Sequence, residues 1–397
     1  MLTSIQISAA EFKARTQALL DNLHEQSLSG VVLFDNHYIL YYTGFAFIPT
    51  ERPVAFVMSA TGEKALFVPR LELEHAHANG VVDSVEHYIE YPYHPHPFQI
   101  LGETLRKMGV ANRYGVDQDG YPWIFGYQGP SLSEILGSPP VRVASFIESQ
   151  MMVKSRAEVD LIRESIKWAN LAHMLLQRYT RVGVTETEVS RRASSEATLA
   201  MLDAIGPIYR AQSAFEDGPG AGYRGQIGRN AAIPHALANN IAFKEGDVLV
   251  TGASAPMWGY NSELERTMFI GSPANEQKHM FEHMLALQEI AFESIQPDRP
   301  CSSVDRVVRA YYEEHDLMPY WKHHTGHAIG LRYHEGPFLD IGDQTIISPG
   351  MVFTVEPGLY HPDLGGFRHS DTVLVTEMGI EILTYYPRDI ESLTIFV

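Results

Sequence analysis

Apolar positions alternate between helical and strand spacing in the first part of the chain. Over residues 11–26 they recur at intervals of three and four residues, which predicts a helix with one apolar face. Short apolar runs at 31–34, 54–58 and 65–68 are typical of buried strands. Because turn residues separate the last two runs, we expect antiparallel neighbours within an α/β domain. The Pro/His/Tyr-rich stretch 91–98 is predicted to be an exposed loop.

A domain boundary is predicted near Lys154. Ser155 and Glu158 have the spacing of a capping box, and apolar residues then continue at helical spacing. Thr185 and Glu188 predict the start of a second helix in the same way. Further helices are expected at 275–294 and 303–315, and strands at 247–250, 258–270, 351–355 and 372–375. The pattern therefore predicts an α/β domain over 1–153 and an α+β domain over 154–397.

Composition and charge narrow the class of protein. With 45% hydrophobic residues in 397, the chain can bury two cores. The net charge of −18 argues against nucleic-acid binding, since acidic surfaces repel phosphate. No apolar run approaches the ~20 residues that span a bilayer, and we expect no signal sequence, no membrane contact and a cytoplasmic location. A single cysteine, Cys301, excludes a disulfide scaffold or a cysteine-rich metal site.

Ionisable residues concentrate in four segments of the second domain. The segments are residues 230–235, residues 252–267, residues 323–327 with 334–335, and residues 355–358 with 366–371. They contain the candidate site residues His235, Glu263, Glu265, His323, His327, His334 and Glu356. In this order and spacing they resemble the pita-bread superfamily, which includes aminopeptidase P, prolidase and creatinase. The resemblance covers essentially the whole chain, and it implies a creatinase-like N-terminal domain followed by a pita-bread catalytic domain.

The resemblance also implies five metal-ligand positions, because the metallopeptidases of this superfamily hold two metal ions with Asp, Asp, His, Glu and Glu. Matching the family motifs places these positions at Gly252, Glu263, His327, Glu356 and Ser370. Glycine offers no ligand atom, and a serine hydroxyl is a poor substitute for a bridging carboxylate. We therefore interpret the metal site as lost and expect no metal or cofactor.

A hydrolase of this fold can act without metal, as creatinase does with a histidine that matches His235. Amidinium and guanidinium carbons already carry positive charge, so Lewis-acid help is less necessary. Glu263 and Glu265 alternate along a predicted strand and so share a face, and Glu356 would be the third carboxylate. Three acids without a metal favour a cationic ligand between them.

Among metal-free relatives, the pattern most resembles the ectoine hydrolases. This implies a metal-independent enzyme that opens the cyclic amidine of ectoine to N-acetyl-2,4-diaminobutyrate. In the expected mechanism Glu265 attacks the amidine carbon to form a covalent intermediate, Glu263 and Glu356 pair with the nitrogens, and His235 moves protons. Direct attack by a water activated by His235 is the alternative. His327 is expected to belong to the same catalytic group.

Two other enzymatic hypotheses and one non-enzymatic hypothesis are also consistent with the sequence. They are a creatinase-like amidinohydrolase, a metal-dependent Xaa-Pro dipeptidase with a degenerate metal site, and a catalytically inactive binding module. Retention of the histidine set and of Glu356 argues against the last, because a binding module does not require them.

Substrate-binding residues are implied by the same resemblance. In creatinase-like enzymes an arginine of the partner subunit's N-terminal domain binds the substrate carboxylate, which makes Arg52 the candidate and implies a homodimer. His323, His334 and Tyr260 are expected to line the substrate pocket. Arg266 is expected to pair with a nearby acid and hold its strand. A small molecule is the expected partner, with a downstream deacetylase as a further one if the substrate is ectoine.

Overall fold

The structure, a computed structural model, describes residues 6–397. The start of the N-terminal segment, for which no signal sequence is predicted, therefore lies outside the described residues. The chain divides into two compact units, Gln6–Met151 with Gln212–Ala214, and Met152–Ala211 with Phe215–Val397. We refer to them as the N-terminal unit and the catalytic unit.

The N-terminal unit is built around a six-stranded mixed sheet with strand order β4-β3-β2-β1-β5-β6. Its strands are Gly30–Leu33 (β1), Ala55–Ser59 (β2), Lys64–Pro69 (β3), Ser84–Tyr88 (β4), Gly115–Val116 (β5) and Val141–Arg142 (β6). Its helices are Ala9–Glu25 (α1), Asn36–Thr43 (α2), Leu73–Asn79 (α3), Pro97–Lys107 (α4), Leu132–Leu136 (α5) and Ala144–Met152 (α6), the last residue of which opens the catalytic unit. Strands β1 to β3 pair antiparallel, as the short connection between β2 and β3 predicts.

The stretch predicted as an exposed loop is partly buried. Tyr91 and Phe98 are 7% and 0% exposed and pack into the core of this unit. His96 caps α4 by accepting a hydrogen bond from the backbone of Phe98, and Pro97 begins the helix. Proline suits the first helical position because its missing N–H has no partner there.

The catalytic unit contains four long helices and several small sheets. The helices are Arg156–Tyr179 (α7), Glu186–Ile205 (α8), Asn275–Ser294 (α9) and Cys301–Glu314 (α10). The strands are Gly220–Gly222 (β7), Val248–Val250 (β8), Gly252–Ser254 (β9), Thr267–Ile270 (β10), Gly326–Ala328 (β11), Glu335–Leu339 (β12), Val352–Val355 (β13), Gly358–His361 (β14), Gly365–Arg368 (β15), Asp371–Thr376 (β16), Gly379–Ile382 (β17) and Thr394–Ile395 (β18). The largest sheet of the catalytic unit has five strands, all antiparallel to their neighbours, in the order β12-β11-β13-β16-β17.

Local sequence signals set the helix starts in this unit. Ser155 and Glu158 form the predicted capping box in front of α7, and Thr185 caps α8. The strand predicted at 258–270 is wrong over its first part. Trp258 and Gly259 have φ values of +53° and +82° and form a turn, so the strand β10 begins only at Thr267. Across residues 6–397, no helix is long and apolar enough to cross a bilayer.

Candidate active site

A cavity of about 580 Å³ in the catalytic unit collects most of the predicted site residues. It is lined by Arg224, Ile233, Pro234, His235, Glu263, Glu265, Lys322, His323, His324, His334, Glu356 and Arg368. These side chains come from distant parts of the chain, which the sheet pairing brings to one place. The cavity is therefore the candidate active site.

Three potential metal ligands converge at this site. His327 lies on β11, and Glu356 directly follows the neighbouring antiparallel strand β13. A backbone hydrogen bond of 2.8 Å from the Glu356 amide to the Thr325 carbonyl holds the two ends together. His327 Nε2 lies 3.1 Å from Glu356 Oε1, and the ligand atoms of His327, Glu356 and Glu263 all lie within 4.8 Å of one another. One imidazole and two carboxylates suit a divalent ion such as Zn²⁺ that keeps an open position.

The orientation of His327 favours metal binding. Its Nδ1 lies 3.0 Å from the Ala328 carbonyl, so an N–H at Nδ1 donates there and directs the Nε2 lone pair toward the carboxylates. Nε2 is fully buried, and the Glu356 carboxylate is its ion-pair partner at 3.1 Å. A buried ring nitrogen that lies beside two carboxylates fits a metal ion, because one divalent cation can bind all three groups at once.

The electrostatics of these residues show the excess of negative charge. Burial raises the pKa of Glu263 to about 7, and the charges of Glu356 and Glu265 add to this effect. Burial lowers the pKa of His327, but Glu356 and Glu263 outweigh it and raise that pKa to about 9. Burial also acts to raise the pKa of Glu356, yet the neighbouring His327 and Arg368 bring it well below its usual range. The group as a whole attracts a cation.

Glu265 is held differently from Glu263 and Glu356. Arg368 Nε lies 2.5 Å from Glu265 Oε2, and Arg224 Nη2 donates to Oε1 over 2.7 Å. Backbone hydrogen bonds in both directions between Glu265 and Ser370 hold the main chain at this position. A carboxylate paired through both oxygens is a weak nucleophile, because its charge is already compensated. These contacts do not favour the predicted nucleophilic attack of Glu265 on an amidine carbon.

The two substituted ligand positions are filled by other groups. A Cβ at Gly252 would lie 3.3 Å from Glu265 Oε1 and 3.9 Å from Arg224 Nη2, so the ion pair occupies the space of a longer side chain. Ser370 donates a hydrogen bond of 2.6 Å from Oγ to Glu263 Oε1. The residues present therefore fit one metal ion and do not fit the two-ion pattern of the family.

Gly252→Asp is expected to destabilise the fold by about 1–3 kcal/mol, because the new carboxylate overpacks against Glu265 and repels it. In the Glu265→Thr background the cost should fall, since space and negative charge are both removed. Urea unfolding of the four proteins in this double-mutant cycle measures the coupling. Gly220→Asp is the matched control, because no atom lies within 4 Å of its Cβ position. If Gly252→Asp lowered the free energy of unfolding equally in both backgrounds, the side chains at 252 and 265 would not compete for the same space.

The other predicted histidines lie around the three potential metal ligands Glu263, His327 and Glu356, which we call the ligand group. His334 stacks on His327 with ring centroids 3.8 Å apart, and burial together with His327 lowers the pKa of His334 to about 4. His323 Nε2 lies 2.7 Å from the Tyr360 hydroxyl, and Arg368 Nη1 donates to the same hydroxyl over 3.1 Å. His235 is exposed and lines the cavity. These rings leave the cavity wall rich in hydrogen-bonding groups.

Three predicted residues lie elsewhere. Tyr260 is buried and donates its hydroxyl to Glu158 over 2.7 Å; among the described residues it does not line the cavity, so its expected substrate contact is not supported. Arg52 belongs to the N-terminal unit, where Glu51 and Glu90 pair with its guanidinium. Arg266 pairs with Asp371 over 2.7 Å and donates to several backbone carbonyls, which confirms its predicted structural role.

Sequence reasoning missed three site residues, namely Arg224, Arg368 and Tyr360. Arg368 would have been the easiest of the three to predict, because it lies within the motif segment that identified Ser370. Arg224 and Tyr360 stand in segments with no recognisable motif, and only the fold brings them to Glu265 and His323. The two arginines explain why the three clustered glutamates, Glu263, Glu265 and Glu356, do not require an organic cation.

A second cavity of about 380 Å³ adjoins the first and shares Arg224, Glu263 and Glu265 with it. Three glycines keep its wall open, namely Gly220, Gly222 and Gly252. On its far side the Tyr333 hydroxyl lies 3.0 and 2.9 Å from the two carboxylate oxygens of Glu216. The potential metal ligand Glu263 thus lines both cavities, and the smaller cavity carries an additional carboxylate, that of Glu216.

The fold and site define a two-domain hydrolase of the pita-bread class, and comparison with known proteins gives its family. Residues 160–377 match the model of metallopeptidase family M24, and residues 15–139 match the creatinase/prolidase N-terminal domain. The first match covers more than half of the chain, so this protein belongs to metallopeptidase family M24. The predicted fold class is confirmed.

Similar proteins are Xaa-Pro dipeptidases. The Pyrococcus horikoshii Xaa-Pro dipeptidase is 29% identical over 95% of this chain and 98% of its own length. That of Pyrococcus furiosus is 27% identical over 95% of this chain and 99% of its own length. The crystal structure of the prolidase from Pyrococcus horikoshii superimposes with a TM-score of 0.79 at 25% identity, covering 95% of this chain and 99% of that one.

These findings overturn the predicted function. The expectation of a metal-independent ectoine hydrolase is wrong, because the family is one of metallopeptidases, the similar proteins are Xaa-Pro dipeptidases, and three potential metal ligands lie together. The resemblance to ectoine hydrolases is not shown, and ectoine and a downstream deacetylase gain no support. The physical error was to count the glutamates without the arginines that neutralise Glu265.

Proposed function

We propose that this chain is a metal-dependent hydrolase of the Xaa-Pro dipeptidase type that works with one divalent ion. The observation that carries the proposal is the convergence of Glu263, His327 and Glu356, whose ligand atoms lie within 4.8 Å of one another beside the large cavity. The names of its relatives indicate the bond type, a peptide C–N bond in a small substrate.

The residues of the chain divide the work around this ion. A divalent ion held by Glu263, His327 and Glu356 would polarise the scissile carbonyl and activate water for attack. Ser370 donates a hydrogen bond to the Glu263 carboxylate, and the Glu263 backbone amide donates one to the Thr372 hydroxyl, so that Glu263 is held in position. Arg368 and Arg224 hold the Glu265 carboxylate in a fixed orientation at the edge of the site. His235 reaches the cavity from an exposed position, which suits a group that exchanges protons with solvent.

The two cavities suit the two halves of a dipeptide. In the larger cavity, Lys322 with His323 and His334 provides donors for the carboxylate end of the substrate. In the smaller one, Glu216 supplies an acceptor for the free amino group. The ligand group between them would then meet the peptide bond. Cleavage by water yields one free amino acid from each half.

A homodimer remains part of the proposal, with Arg52 of one subunit reaching the substrate of the other. The contacts of Arg52 with Glu51 and Glu90 show that its guanidinium can be held in a fixed orientation. Sedimentation of the purified chain measures the assembly, and Arg52→Met should raise KM with little change in kcat.

The substrate proposal predicts a pattern of activity on the purified enzyme loaded with Mn²⁺ or Zn²⁺. Ala-Pro and Met-Pro should be hydrolysed, and N-acetyl-Ala-Pro should be cleaved at least about tenfold more slowly, because acetylation removes the charge that Glu216 would bind. Release of free proline is the measurement. Glu216→Gln should narrow this difference, while Glu196→Gln serves as a matched control outside both cavities. Turnover of creatine with none of the dipeptides would contradict the proposal.

A further inference from the structure

A second group of metal-ligating side chains lies on the catalytic unit away from both cavities. His279 and His283 stand one turn apart on α9, and their Nε2 atoms are 3.1 Å apart. Two imidazoles bound to one ion with metal–nitrogen distances of ~2.0–2.1 Å and angles between ~90° and ~110° place their nitrogens about 2.9–3.4 Å apart. The observed separation therefore matches the bite of a bidentate site.

The outer nitrogens of both rings face oxygen atoms. His283 Nδ1 lies 2.9 Å from the Tyr311 hydroxyl on α10, and His279 Nδ1 lies 3.9 Å from Glu282 Oε2. Metal-bound histidines characteristically donate their other N–H to an oxygen, which fixes the tautomer and aims the lone pair at the ion. His283 thus has the outer hydrogen-bond partner that a ligating histidine requires, supplied by α10, and His279 has an acidic neighbour on its own helix.

A third imidazole lies close to this pair. The ring of His315, the residue that ends α10, has its centroid 5.2 Å from that of His283 and 4.1 Å from that of Tyr311. His279 and His315 are both exposed, so an ion can reach the group from solvent.

We infer that His279 and His283, supported by Tyr311 and Glu282 and adjoined by His315, form a second metal site that takes an imidazole-binding ion such as Zn²⁺, Cu²⁺ or Ni²⁺. Imidazole ligands select these ions over Mg²⁺ and Ca²⁺, which prefer oxygen. To bind the ion, the proton shared between the two Nε2 atoms moves to Nδ1 of His279, beside Glu282. The ion then links α9 to α10 through Tyr311. This site is independent of the proposed catalytic function.

Equilibrium dialysis of the full chain against Zn²⁺ at pH 7.5 tests the inference. The wild type should bind one more ion per chain than His279→Gln/His283→Gln, whatever the catalytic cavity binds. His24→Gln/His77→Gln is the matched control, because it removes two histidines that lie apart on other helices. The dipeptidase activity of His279→Gln/His283→Gln should equal that of the wild type.

Two further measurements separate a built site from loose surface binding. Tyr311→Phe should retain the stoichiometry and raise the Kd for Zn²⁺ about tenfold, as the loss of an outer hydrogen-bond partner does. Cu²⁺ electron paramagnetic resonance should show nitrogen splitting that His279→Gln/His283→Gln reduces. Equal Zn²⁺ stoichiometry in the wild type and in His279→Gln/His283→Gln, or an unchanged Kd in Tyr311→Phe, would overturn the inference. If the catalytic cavity takes no ion, the wild type binds one and the variant none, so the two proposals fail separately.

Discussion

Glu356→Gln is expected to lower kcat/KM by at least about 100-fold, since even residues behind a metal ligand typically contribute 10- to 100-fold. The glutamine oxygen is a neutral and weaker ligand, and His327 Nε2 loses the carboxylate that lies 3.1 Å away. Loss of the carboxylate also leaves Arg368 with one acidic neighbour fewer, since its Nε lies 3.8 Å from Glu356 Oε2. Activity on Ala-Pro and bound metal per chain, measured on the same preparation, check this result.

The control is Glu377→Gln, which makes the same chemical change at an exposed turn between β16 and β17. It should leave kcat/KM and metal content unchanged. Circular dichroism should show the same fold for both variants. Full activity of Glu356→Gln with normal metal content would show that Glu356 is not a ligand.

Arg266→Met is expected to lower the free energy of unfolding by about 3–5 kcal/mol, because the buried carboxylate of Asp371 loses its close ion-pair partner and keeps only Arg388, whose Nε lies 3.9 Å away. Both side chains are almost fully buried, at 0% and 1% exposure. The guanidinium also donates to the carbonyls of Pro387, Ser370 and Tyr386, which ties the segment before β10 to the end of the chain. Urea unfolding measures the change.

Arg163→Met is the matched control for this prediction, because it removes a bidentate arginine–glutamate pair whose partners are 42% and 46% exposed. An exposed pair contributes about 0–1 kcal/mol, so the control should remain close to the wild type. Equal losses in Arg266→Met and Arg163→Met would mean that burial does not set the cost.

The five longest helices of the described residues, α1 and α7 to α10, could be predicted because their signals are local. The capping box at Ser155 and Glu158 and the apolar periodicity of 275–294 are read within one or two turns, and both agree with the structure. The long strand predicted at 258–270 failed because apolar residues there are buried without forming a ladder. The turn at Trp258 and Gly259 depends on positive φ values that an apolar pattern does not reveal.

The ligand group could be predicted in part, because motif spacing identifies His327, Glu356 and Glu263 as family positions. The charge balance between the glutamates of the site and their arginine partners could not be predicted. Arg224 lies 41 positions before Glu265 in the chain, and its contact depends on how β7 and β9 pair. Without that contact, the extra glutamates indicated a cationic substrate and led to the wrong function.

Metal titration against activity tests the central claim most directly. Chelator-treated enzyme in the His279→Gln/His283→Gln background should have no dipeptidase activity and should regain it in proportion to added Mn²⁺ or Zn²⁺, reaching a plateau at one ion per chain. Undiminished Ala-Pro hydrolysis by the metal-free protein, or a plateau at two ions per chain, would contradict a one-metal centre built by Glu263, His327 and Glu356.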